Sequence, residues 1–191
     1  MIDFLHSLDI KSFRFINNSL QNPALDLLMP GLTDLNQQKL VIVFFLTLLL
    51  WMIIRGNRNV RLSAILLIIT IIFSDQFNSS IIKFWFERPR PCHTLHNVHL
   101  LVGCGSGFSF PSSHAVNNFA GALILSFFLP RITWYIFGYA FLIAFSRVYV
   151  GVHYPFDVLG GAVIGLICGG MILKVFLEIE KRWLHINKKK K

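Results

Sequence analysis

Five stretches of the chain are dominated by apolar side chains: Leu40 to Ile54, Leu62 to Phe86, Ala115 to Leu129, Ile132 to Phe145 and Val158 to Leu177. A bilayer core about 30 Å thick takes roughly 20 such residues per helical crossing, and several of these stretches approach that length. Backbone polar groups in hydrocarbon are satisfied only inside helices or closed barrels. No alternation of apolar and polar residues supports a barrel. The pattern therefore predicts an all-α, polytopic transmembrane helix bundle with about five crossings.

The first 39 residues follow another pattern. Ile2, Leu5, Leu8, Phe13 and Ile16, with charges between them, and then Leu25, Leu28 and Leu32, trace amphipathic helices. Asp26, Pro30 and Asp34 make a spanning segment costly there. The expectation is an amphipathic segment over 1–39 lying on the outer surface, a transmembrane domain over 40–180 and a basic cytoplasmic tail over 181–191. A crossing within the first segment would raise the count to about six. No repeat or linker marks a second domain. Met1-Ile2-Asp3 is acidic where a secretory leader is basic, so no leader is expected.

Composition agrees with the pattern. At 54% hydrophobic and 14% charged residues, with a mean hydropathy of +0.61, the chain lies outside the soluble range. The net charge of +9 raises nucleic acid as a partner, and the placement of the cations argues against it. Arg55, Arg58 and Arg61 fill the first short loop, Arg131 the third, and Lys181, Arg182 and Lys188 to Lys191 the tail. Alternating crossings put all of them on one face, which the positive-inside rule makes cytoplasmic. The opposite face receives the loops Glu87 to Ser113 and Arg147 to Phe156. Its few cations, Lys83, Arg88, Arg90 and Arg147, are not topology signals and need another reason to exist.

Phosphate chemistry supplies one. In "FPSSHA", Ser112 suits a helix N-cap, with Ser113 and His114 opening the helix that follows. A helix N-terminus offers unpaired N–H groups and a positive dipole end, which together attract anions. Arg147 and the Lys83/Arg88/Arg90 group add charge-assisted donors, and planar guanidinium matches phosphate oxygens. His153 and Asp157 stand four apart, with Pro155 suited to the first helical turn between them. A carboxylate there can hold one ring nitrogen and leave the other free as a nucleophile. Two histidines, one oriented by a carboxylate and one at an anion-binding helix end, point to covalent phosphoryl transfer with a separate acid/base.

Three groups of residues carry a family resemblance. Lys83, six residues, then Arg90-Pro91; Pro111-Ser112-Ser113-His114; and Ser146-Arg147, five residues, His153, three residues, Asp157 resemble the three motifs of the type 2 phosphatidic acid phosphatase (PAP2) superfamily. Ser113 departs from the glycine usual in that family. The resemblance implies a lipid phosphatase that needs no metal or other cofactor. It further implies that Lys83, Arg90, Ser112, Ser113 and Arg147 hold phosphate, His153 attacks phosphorus, Asp157 orients it and His114 protonates the leaving group.

On that reading the protein sits in a bacterial inner membrane with its site at the outer leaflet. Its substrate would be undecaprenyl diphosphate, phosphatidylglycerol phosphate or a lipid A phosphate. A lipid phosphotransferase using the same phosphohistidine, and a non-catalytic lipid-phosphate-binding or transport protein, remain alternatives. The expected partners are the bilayer and the lipid substrate, not nucleic acid. Arg88 is expected as an auxiliary phosphate or headgroup contact, or as a plain surface residue. Cys92 and Cys104 lie on the oxidising side and are candidates for a disulfide, while Cys168 falls within a crossing. His93, His96 and His99 could form a metal cage with Cys92, but read better as an exposed polar loop. Asp75, an acid inside the second crossing, is read as a packing residue although intramembrane acids are often functional.

Overall fold

The computed structural model describes residues 2–35 and 38–189; the last two lysines of the basic tail, like Met1, lie outside them. Every regular element among the described residues is helical. Helix α1 (Ile2–Arg14) runs into a π turn, Phe15–Ser19. Helix α2 (Pro23–Thr33) follows, with proline at its first position and the Asn22 side chain accepting from Leu25 N–H at 3.0 Å. Helices α3 (Lys39–Arg55) and α4 (Arg58–Phe77) are joined by a tight turn in which Asn57 caps α4 through Val60 N–H. A π turn, Asn78–Ile82, carries α4 into α5 (Lys83–Phe86), which stops at Glu87 in a left-handed conformation. A one-turn helix α6 (Pro91–Thr94) and a long loop lead to α7 (Ser113–Phe128). Helices α8 (Thr133–Tyr149) and α9 (Pro155–Lys189) complete the chain.

The five expected apolar stretches fall on α3, on α4 with its continuation, and on α7, α8 and α9. Three spans are long and apolar enough to cross a membrane by length and composition alone: Arg58–Thr94, Pro130–Tyr149 and Pro155–Asn187. Helices α3 and α7 are shorter, with 17 and 16 residues, or about 24 to 26 Å at 1.5 Å per residue. Connectivity still makes α7 traverse the bundle, because it starts beside the loop that ends α8 and reaches the other end of α8 through the short turn Pro130–Ile132. On α3 no residue is buried. Leu40, Phe44 and Trp51 stand more than half exposed on it, a surface that only hydrocarbon covers without penalty. The 13 residues of α1 and the 11 of α2 are too few to span.

Helix α7 is the hub, packed against α9, α4 and α8. Its close approach to α9 depends on glycine. A Cβ on Gly165 would lie 2.3 Å from the Val116 carbonyl oxygen, and one on Gly161 would lie 2.8 Å from that of Ser112. Small residues let the two main chains touch, and the contact sets Asp157 of α9 beside Ser112 of α7, where Ser112 N–H donates to the Asp157 carbonyl at 3.0 Å.

The N-terminal helices fold over the end of the bundle that carries loops 87–112 and 150–154. Phe13 is fully buried against Val148 and Tyr154. Asn17, also fully buried, donates to the carbonyls of Tyr149 (2.7 Å) and His99 (2.8 Å) and accepts from His99 N–H (2.9 Å). Asp26 accepts from the Tyr149 hydroxyl at 2.6 Å and meets His99 Nε2 at 3.0 Å. Buried polar groups matched this completely hold a segment in one place.

Candidate active site

The turn between α8 and α9 is built around Gly151, at φ +88°. A Cβ there would come within 2.7 Å of Val98 Cγ1 and 3.0 Å of the His99 carbonyl, so both conformation and space call for glycine. The turn delivers His153, 2% exposed, to the interior. Pro155 then opens α9, placing fully buried Asp157 in its first turn, where one carboxylate oxygen accepts from Tyr154 N–H at 2.8 Å. His153 Nδ1 lies 3.5 Å from Asp157 Oδ2. Ser109 reaches both: its hydroxyl donates to Asp157 Oδ2 in a short contact and stands 3.4 Å from His153 Nδ1.

Arg88 closes the back of this arrangement. Its Nη1 donates to Asp157 Oδ1 at 2.7 Å and its Nη2 to Asp9 Oδ2 at 2.6 Å, while the guanidinium lies 4.0 Å above the Tyr154 ring. Asp9, 1% exposed, also accepts from Phe156 N–H at 2.9 Å. Arg88, expected as an auxiliary phosphate or headgroup contact or as a plain surface residue, is thus tied to two carboxylates. Two carboxylates hold the guanidinium behind the His153–Asp157 pair. Burial pushes the His153 imidazole down to about 4, against the opposing pull of its Asp157 hydrogen bond, so the ring is neutral near pH 7.

The opposite wall is less occupied. His114 sits in the first turn of α7, its Nε2 buried and without a partner. Ser112 occupies the N-cap position but makes no capping bond, and its buried hydroxyl is also unpartnered. The Ser113 hydroxyl accepts from Asn78 Nδ2 at 2.9 Å, which ties the start of α7 to the π turn just before Lys83. Arg147, 8% exposed, spends Nη1 on Thr33 (2.7 Å) and leaves a buried Nε unpaired. Arg90 is anchored through Nε to the Gly107 carbonyl at 2.8 Å. The charges of Arg147, Lys83 and Arg90, and the His153 ring, all act on His114, so the three sequence motifs meet at one point.

Cys92 and Cys104 are joined in a disulfide just inside the Arg90–Gly107 pair, closing the loop between them. Cys92, His93 and Cys104 put ligand atoms within 4.8 Å of one another, but sulfurs bonded to each other offer no thiolate to a metal. The loop histidines disperse. His93 faces Gly105 and Cys104, His96 lends its carbonyl to Arg14, and His99 clasps Asp26. His99 is thus a structural clasp rather than part of a passive exposed loop. Cys168 is a buried free thiol.

Ser109 and Asp9 were not singled out in the sequence. Ser109 carries no spacing signal. Asp9 did leave one: it stands four residues before Phe13, so a carboxylate shares the helix face that α1 buries there.

Residues 64–181 match the family model of the PAP2 superfamily. The chain is 35% identical over 123 residues to a lipid A 4'-phosphatase of Porphyromonas gingivalis, a match spanning 61% of this chain and about half, 52%, of that relative. It is 33% identical over 170 residues to the undecaprenyl-diphosphatase BcrC of Bacillus subtilis, covering 86% of this chain and 84% of the relative. The crystal structure of Aquifex aeolicus LpxE superposes with a TM-score of 0.72 at 35% identity, covering 87% of this chain and 95% of that one. The chain belongs to the PAP2 superfamily and is a membrane phosphatase.

Proposed function

We propose that the protein hydrolyses a lipid phosphate or diphosphate through a phosphohistidine at His153. The observation that carries this reading is the contrast between a fully clasped, neutral His153 and the unpaired buried atoms facing it: Ser112 Oγ, His114 Nε2 and Arg147 Nε. Buried polar atoms without partners are rare in proteins, and a bound phosphate is the partner we assign to these three. Asp157 holds Nδ1 of His153, which leaves Nε2 to attack phosphorus. As that N–P bond forms, the ester P–O bond breaks and the leaving oxygen takes a proton from His114. Water then attacks the phosphohistidine, releasing inorganic phosphate and restoring the imidazole. Lys83, Arg90, Arg147 and the N–H groups at the start of α7 neutralise the phosphoryl oxygens throughout, the electrostatic part of the catalysis.

The relatives' activities on lipid A and undecaprenyl diphosphate support a substrate anchored in the bilayer by its tails, with its phosphate at interface depth. The cation distribution supports a bacterial inner-membrane location with the site on the periplasmic face. Phosphate release by purified protein from a panel of lipid phosphates, with and without a lipid acceptor, tests the reaction. Release only when acceptor is present would replace hydrolysis by phosphotransfer. An impermeant thiol reagent should label Asn97→Cys in intact cells; labelling only after lysis would put the site on the cytoplasmic face.

A further inference from the structure

Beside His114 lies a cavity of about 330 Å³ bounded by Ser113 and His114 and by Thr33, Asp75, Asn117 and Tyr139, with neither His153 nor Asp157 in its lining. Its volume is in the range of small-molecule sites, about 300–1,000 Å³. It continues into a second cavity of about 480 Å³ whose walls are apolar, among them Phe45, Leu46, Leu67 and Leu125. Asn117 and Tyr139 border both. A polar chamber thus lies between the catalytic face and a greasy groove among α3, α4, α7 and α8.

Helix packing explains only part of the chamber. Asn117 Nδ2 donates to Asp75 Oδ1 at 2.9 Å, and Asn117 Oδ1 accepts from Ser74 at 2.8 Å. Among the described residues no hydrogen bond reaches the second oxygen of Asp75 or the Tyr139 hydroxyl, although the Lys83 ammonium acts on the Asp75 carboxylate from a distance. A carboxylate accepts about four hydrogen bonds, and intramembrane carboxylates are expensive unless they face a cavity or serve a function. Expectation and structure agree that Asp75 contributes to packing, but packing uses one of its two oxygens.

We propose that this chamber is the subsite for the alcohol half of the substrate, and that it selects a phosphate monoester carried on a sugar or glycerol over a prenyl diphosphate. The inference rests on the role given to His114, since the group that His114 protonates must depart toward this space. Sugar or glycerol hydroxyls would donate to Asp75, a charge-assisted bond, and pair with Tyr139 and Asn117, while the attached chains continue into the apolar groove. A diphosphate would instead bring a second phosphate against the Asp75 carboxylate. Like charges at a desolvated contact are a means of rejecting the wrong ligand.

The test compares kcat/KM of full-length wild-type, Asp75→Asn and Tyr139→Phe proteins in nanodiscs. The substrates are a lipid-linked glucosamine phosphate, phosphatidylglycerol phosphate, a prenyl monophosphate and a prenyl diphosphate. The wild type should favour the sugar and glycerol monoesters over the diphosphate by roughly tenfold or more, the size of one lost charged hydrogen bond. Asp75→Asn should shrink that preference about tenfold, chiefly through KM, and should raise turnover of the diphosphate. Tyr139→Phe should weaken the polyol substrates severalfold and leave the prenyl monophosphate unchanged. A wild-type preference for the diphosphate, or equal loss on all four substrates in both variants, would overturn the subsite. No phosphate release from any substrate by the wild type would instead remove the hydrolytic reading, and the subsite with it.

Discussion

The two histidines face each other across the site in opposite states of completion. His153 is held from four parts of the chain: Asp157 from α9, Ser109 from the long loop, Arg88 from the loop after α5 and, through Arg88, Asp9 from α1. His114 lies where the chain leaves polar atoms unpaired and a cavity open. On the roles proposed above, a nucleophile gains from being fixed before substrate arrives, because attack tolerates little misplacement, while the wall of the leaving group would be completed by the substrate. The N-terminal segment thereby acquires a role that its amphipathic pattern alone would not assign: Asp9 and Asn17 tie it into the nucleophile's side of the site.

The comparison breaks first at His114. General acid–base assistance is worth about 10² to 10⁴-fold, and most of it should appear where the leaving group is a poor one. His114→Ala should cut burst-phase turnover of alkyl phosphate monoesters toward the upper end of that range while aryl phosphates lose much less. Equal losses on both, with binding preserved, would show that His114 does not serve the leaving oxygen.

The clasped wall predicts a smaller effect of a different kind. Arg88→Ala and Asp9→Asn touch no substrate, so they should lower kcat roughly tenfold to a hundredfold, as small misplacements of a reacting group do, with KM little changed. Arg88→Lys should recover part of the loss. A rise in KM at constant kcat would favour the phosphate-contact role for Arg88 instead.

How much of this was legible in the sequence depends on range. The apolar stretches report their own burial in lipid, and they fall on the long helices. The motif residues reached the site through short local geometry: a proline at the first turn of α9, a serine N-cap position, a glycine turn. What the sequence hid is held by pairing between distant segments. Ser109 to Asp157 spans 48 residues and Arg88 to Asp9 spans 79, and neither pair has a periodicity that a pattern could display. Arg88 looked like a second phosphate arginine because an Arg-Pro pair reads the same whichever way the side chain turns. The choice between five and six crossings lay in the first 39 residues, where apolar positions reach into two helices of 13 and 11 residues, too short to span.

Smaller effects sharpen the account. Reducing the Cys92–Cys104 bond frees a loop with 12 residues of separation, for which chain entropy allows about 3 kcal/mol. The measured consequences should be a lower Tm and a KM raised a few fold, since the bond steadies the segment beside the Arg90–Gly107 pair and not the nucleophile. A fall in kcat alone would contradict that division. In nitrogen-15 NMR of histidine-labelled protein, the His153 ring should stay neutral down to about pH 5 and protonate only as pH falls toward about 4. Its folded value lies below the 6.5 of a free imidazole, so the stability tied to the neutral ring is present above about 6.5 and is lost as pH falls from there toward about 4. Titration near 6.5 would mean that the clasp is open.

The central claim is that His153 carries the phosphoryl group. Rapid mixing with a radiolabelled lipid phosphate, followed by alkaline quench and peptide mapping, tests it directly. The account predicts one acid-labile, base-stable phosphopeptide containing His153, formed faster than steady-state turnover and absent from His153→Ala, which should have no measurable turnover. A phosphopeptide elsewhere in the chain, or full turnover with no phosphoenzyme at any time point, would contradict it.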